Sequence, residues 1–252
     1  MAFEPHPGLP DVADEVVLWR YMDLYRLLDL LQSSELHLTR ADQMEDRWEG
    51  AFSAVNLAMR PRLYGENWDV MSSHMPVIYQ HGRTHTYLHC WYMGLNESYA
   101  MWKLYDVAGK GVAVRTTAGR LKQSLLGTRQ ILVHGAQVQY VNYDESFIPE
   151  GNVFYPFVHK RLSFAHESEY RLLAIWSPKV LEVDEHKTAV RSEPDLPPLH
   201  IREPVDLDLL IESVYVSPDS PDWMAKVVRD VAGKYCRDVE VRHSDLRADP
   251  VY

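Results

Sequence analysis

Three short segments near the start of the chain set its fold class. Val16 to Tyr21 (VVLWRY) is a run of β-branched and aromatic residues, the composition of a strand. Asp23 can then cap a helix, in which Leu24, Leu27, Leu28 and Leu31 recur at i, i+3, i+4 and i+7. Glu35 to Thr39 (ELHLT) alternates apolar and polar residues, as a half-buried strand does. A strand, a helix and a strand on short connections point to an α+β chain.

The rest of the sequence continues that mixture. Ala41 to Gly50 is an acidic turn or short helix, followed by helical spacing to about Tyr79. Strands are expected at Thr86–Tyr92, Gly111–Thr116, Gln137–Tyr143, Glu167–Trp176, Ser213–Ser217 and Val239–His243. Helices are expected at Glu97–Tyr105, Gly119–Leu126, Phe154–His166 and Pro221–Tyr235. Residues 1–14 read as a flexible lead-in, and the polar, Pro-rich stretch 184–200 as a loop insertion within one domain spanning 15–252. The expected architecture is a mixed, mainly antiparallel sheet flanked by helices.

Composition narrows the function classes. The formal net charge of −10 argues against sequence-independent nucleic-acid binding, which needs a basic surface. Cys90 and Cys236 are far apart and lack metal-ligand spacing, as in a reduced cytoplasmic chain. A signal peptide or a membrane-spanning segment is not expected.

Chemistry concentrates in Lys160 to Arg171 (KRLSFAHESEYR). If residues 167–171 are extended, Glu167, Glu169 and Arg171 share one strand face, with Lys160 and Arg161 just upstream. Such a cluster suits a catalytic or substrate-binding edge. It also suits an exposed ladder in which Arg171 neutralises the glutamates. Arg20, inside an otherwise apolar strand, could hold a phosphate or carboxylate, or could be an edge residue with its head in water. Asp42, Glu45, Asp46 and Glu49 could bind Mg²⁺ or Ca²⁺, or act as capping and solvated acids. His74, His81, His85 and His89 match no metal-ligand spacing, so no metal is assigned. Trp91 and Trp102 could pack the core or wall a pocket.

Taken together, several segments resemble the DUF2971 family, a prokaryotic group of unassigned function. They are LWRYMDLYRLLDLL, ELHLTRADQMEDRWEG, HCWYMGLNESYAMWKLY with GKGVAVRTT, KRLSFAHESEYRLL and VYVSP, between about residues 16 and 217. DRWEG stands where many members carry an Asp-Pro-Phe-Glu type sequence. A more distant resemblance is to ADP-ribosyltransferase folds. Arg20 on an opening strand and Glu167-Ser168-Glu169 are similar to the arginine and Glu-x-Glu elements of the arginine–serine–glutamate class. The middle element differs, since TYLHCWYMG offers no serine.

That resemblance implies an ADP-ribosyltransferase or NAD glycohydrolase, with a toxin or phage-defence role. NAD would be the co-substrate and a macromolecule the acceptor. Glu169 and Glu167 would be catalytic. Arg20, Lys160, Arg161 and Arg171 would bind substrate, with Trp91 or Trp102 stacking on it. Two other classes stay open. One is a metal-dependent nuclease or hydrolase built on Asp42, Asp46, Glu49 and Glu97, and the other a non-catalytic binding or regulatory module.

Overall fold

The structure, a computed structural model, describes residues 3–106, 109–127, 131–176, 180–183, 189–191 and 197–250. The elements begin β1 (Val17–Asp23), α1 (Leu24–Ser33), β2 (Glu35–Arg40), α2 (Ala54–Tyr64), α3 (Trp68–His85) and β3 (Thr86–Met93). Next come α4 (Tyr99–Tyr105), β4 (Gly111–Thr117), α5 (Ala118–Ser124), β5 (Val133–Gln137), β6 (Gln139–Val141) and β7 (His159–Arg161). Then follow β8 (Glu169–Ile175), β9 (Val180–Val183), β10 (Ala189–Arg191) and β11 (His200–Pro204). The chain closes with α6 (Leu207–Leu210), β12 (Ser213–Val216), α7 (Asp222–Ala232) and β13 (Glu240–His243).

The main sheet runs β11-β2-β3-β1-β4-β12-β13, and β8 and β5 extend it from β3. All its pairings are antiparallel except β12 with β13. The α+β class with a mixed, mainly antiparallel sheet is therefore the observed one. β1 alternates between two cores, which explains why it is apolar from Val17 to Met22 apart from Arg20. Leu18 and Met22 join the large cluster with Leu27, Leu31, Trp91 and Leu172, whereas Trp19 and Tyr21 pack with Met101, Trp102 and Tyr215. The Asp23 carboxylate accepts from the Arg26 N–H at 2.8 Å and so starts α1, whose buried stripe is Leu27, Leu30 and Leu31.

Three expectations change. The helix expected from Phe154 to His166 is replaced by 3₁₀ turns at Tyr155–Phe157 and Leu162–Glu167, with β7 between them. Parallel pairing with β6, which sets Tyr140 opposite Lys160, outcompetes the helical spacing. The strand expected at Gln137–Tyr143 divides, because β5 pairs with β8 while β6 pairs with β7. The strand expected from Glu167 starts at Glu169, since Ser168 adopts φ +38° and turns the chain. In the stretch 184–200, β10 pairs with β9 and His200 opens β11, while residues 184–188 and 192–196 lie outside the described residues.

Residues 3–10 dock along β5. Phe3 bridges Val133, the Gln137 N–H donates to Pro10 O at 2.8 Å, and Leu9 is buried with Phe154 and Phe157.

Candidate active site

A split in the sheet creates the site. One edge of β3 is paired from Thr86 to Tyr92 by β8. On the other edge, β2 meets only Tyr87 and Leu88, and β1 meets only Tyr92 and Met93. His89 to Trp91 thus lack a ladder partner on that side, and a backbone carbonyl there needs another donor. Arg20 supplies it: its Nη1 donates to Cys90 O at 2.6 Å. Among the described residues no carboxylate pairs with Arg20, which lines the opening at this split.

A cleft of about 520 Å³ lies at this split, lined by Arg20, Trp91, Lys160, Glu167 and Glu169 among others. A smaller cavity of about 200 Å³ adjoins it and shares Arg20, Arg26, His37, His89, Trp91 and His200. Arg26, His37 and His200 carry no spacing that could have marked them in the sequence. They reach the cleft because β11 pairs with β2 beside α1.

The same cleft is lined by members of a chain of alternating charges. Lys160 Nζ donates to Glu169 Oε1 at 2.7 Å and also to Glu167 Oε2. Glu169 Oε2 accepts from Arg171 Nε at 2.6 Å. The other edge of Arg171 grips Glu49 with two bonds of 2.6 and 2.9 Å and donates to Phe157 O at 2.7 Å. Every charge in this buried series has an opposite neighbour, as burial requires.

Two local features allow it. Ser168 in the left-handed region lets the turn residue Glu167 and the strand residue Glu169 meet the same ammonium. Gly50, at φ +76°, lets the chain pass Phe157, where an added Cβ would sit 2.4 Å from a ring carbon. Glu49 is thereby seated against Arg171.

The two glutamates are set apart electrostatically. Burial pushes the Glu167 carboxyl up to about 7, and its hydrogen bond to Glu169 adds to this against the pull of Lys160. Burial would also raise Glu169, but Arg171, the bond from Glu167 and Lys160 outweigh it and hold that carboxyl well below the usual range. Burial, reinforced by Arg20, lowers His89 to about 3, so the ring is neutral. Its Nδ1 lies 2.8 Å from His37 O and therefore carries the proton.

The structure gathers some of the expected residues and not others. Arg20, Trp91, Lys160, Glu167 and Glu169 line one cleft. Arg171 is fully buried with all three guanidinium nitrogens engaged, so it holds Glu169 and has no reach to a ligand. Arg161 turns away to Asp46 at 2.9 Å and lies over the Trp48 and Phe164 rings. Trp102 is a core residue: its Nε1 donates to Glu97 at 2.8 Å and its ring packs on Tyr21.

The acidic segment Asp42–Glu49 is dispersed into separate ion pairs, Asp42 with Arg40, Asp46 with Arg161 and Glu49 with Arg171. Glu97 is taken by Trp102 and the Asp245 N–H. Among the described residues no group of three or more His, Cys, Asp or Glu is placed to hold a metal ion. No described helix is long and apolar enough to cross a membrane.

No family model matches the chain, so the DUF2971 resemblance has no counterpart there. No curated protein matches it either. Among solved structures it is similar to DarT of Thermus sp. 2.9, determined in complex with ADP-ribosylated single-stranded DNA. That similarity covers 96% of this chain and 100% of DarT, at 9% identity and a TM-score of 0.41. A likeness of that degree decides neither fold family nor activity.

Proposed function

We propose that the cleft binds NAD and cleaves its nicotinamide–ribose bond, transferring ADP-ribose to an acceptor or to water. The observation that carries this reading is that Arg20 and Glu169 line one open cleft, where neither neutralises the other. A guanidinium with free donors suits the pyrophosphate. A carboxylate kept ionised by Arg171 and Lys160 suits the positive charge that develops on the ribose as the bond breaks.

Atoms and charges balance with the residues present. The C–N electron pair leaves with neutral nicotinamide, and the acceptor oxygen bonds to the anomeric carbon. The acceptor's proton passes to Glu167, whose affinity near 7 allows it to take and release a proton around neutrality. Trp91 supplies an apolar wall, and Arg26 and His200 add positive or hydrogen-bonding groups beside Arg20. The toxin or phage-defence role implied by the resemblance would then follow from loss of NAD or from modification of the acceptor.

The test is to incubate the protein with NAD and follow free nicotinamide by proton NMR. Release by wild type and its loss in Glu169→Gln support the reading; equal traces with and without protein count against it. A non-catalytic binding module has one observation in its favour, since the Glu49-to-Glu167 charge chain is complete without a ligand. NAD binding without nicotinamide release would select that reading.

A further inference from the structure

Glu49 belongs by sequence to an acidic segment, yet by geometry it is the far anchor of the cleft carboxylates. Both of its oxygens are taken by Arg171, whose remaining edge holds Glu169 Oε2 at 2.6 Å. A guanidinium is planar and rigid, so fixing one edge fixes the direction of the other. Glu49 itself is held by the turn at Gly50, where Phe157 leaves no room for a side chain, and Phe157 O binds the same guanidinium.

We infer that Glu49 is a positioning residue, which orients Glu169 through Arg171 and balances the charge shared with Lys160 and Glu167. The inference rests on the proposed NAD chemistry only for its kinetic consequence. The electrostatic part stands on the chain itself. Burial pushes the Glu49 carboxyl up, but its two bonds from Arg171 keep it ionised. With Glu167 protonated, Glu49, Arg171, Glu169 and Lys160 sum to neutrality; removing the Glu49 charge leaves an excess positive charge, which favours ionised Glu167. Tyr105 from α4 and Tyr140 from β6 also sense Glu167, and both are pushed up by burial and so neutral.

The experiment compares wild type, Glu49→Gln and Glu49→Asp, with folding checked by circular dichroism. Nicotinamide release is expected to fall at least roughly tenfold in kcat in Glu49→Gln, with KM for NAD within about twofold, because orientation and not binding is lost. A carbon-13 carboxyl titration should place Glu167 about one unit lower in Glu49→Gln. Glu49→Asp keeps the charge at a shorter reach, so its titration should stay near wild type while kcat falls. It also serves as the informative variant if Glu49→Gln does not fold. A folded Glu49→Gln with wild-type kcat and an unmoved Glu167 titration overturns the inference. If wild type releases no nicotinamide, the NAD reading fails while the titration still decides the role of Glu49.

Discussion

Arg20 and Glu169 line the same cleft, but each is held by other partners. The arginine is anchored on Cys90 O, and the glutamate is fixed between Lys160 and Arg171. The guanidinium and the carboxylate thus line one cleft without pairing with each other.

Arg20→Ala should leave the fold nearly intact, because it removes one hydrogen bond from a half-buried side chain, worth about 1 kcal/mol. NAD affinity should fall roughly tenfold or more, since a charged bond to phosphate contributes about 1.5–3 kcal/mol. Calorimetric titration with NAD, alongside a urea melt, measures both.

Arg171→Met should behave in the opposite way. It strands Glu49 and Glu169 in the interior, and breaking a buried pair of this kind costs about 3–5 kcal/mol. Urea denaturation should show that loss with or without NAD. A change below about 1 kcal/mol would mean that the charge chain is not formed in solution.

The pH dependence of stability carries a sign that identifies Glu167. Its folded affinity, near 7, exceeds the 4.5 of a free glutamate, so the folded state holds the proton more tightly. Ionisation therefore destabilises the protein as pH rises from about 4.5 to about 7. Glu169 works the other way: its lowered affinity gives stability above 4.5 that is lost as the pH falls further. Subtracting the Glu167→Gln melt from wild type at each pH isolates the first effect. Relative to the variant, wild type should weaken across that window.

His89 should remain neutral. Burial and Arg20 depress its affinity to about 3, so stability from the uncharged ring is lost only as pH falls from 6.5 toward that value. Its ring proton resonance should not titrate between pH 8 and 5. A midpoint near 6.5 would place the ring in water.

The opening strand, helix and strand were legible because β1 is buried on both faces and α1 repeats leucine at helical spacing. The segment Lys160–Arg171 was legible as a charged cluster, and its Lys160, Glu167 and Glu169 do share the cleft. Their division of labour was not. Arg171 meets Glu49 across 122 positions of sequence, and Arg20 meets a backbone carbonyl, which leaves no residue signature. Local spacing likewise favoured a helix at Phe154–His166, where a parallel pairing with β6 prevails. An aromatic run of this kind reads first as core and second as a pocket wall; for Trp102 the bond to Glu97 and the packing on Tyr21 place it in the core.

The most direct test is steady-state release of nicotinamide from NAD by wild type, Arg20→Ala and Glu169→Gln, all verified as folded. The account predicts turnover by wild type, a raised KM in Arg20→Ala, and a kcat at least roughly a hundredfold lower in Glu169→Gln. Glu169→Gln turning over like wild type, or no turnover by any of the three, would contradict it.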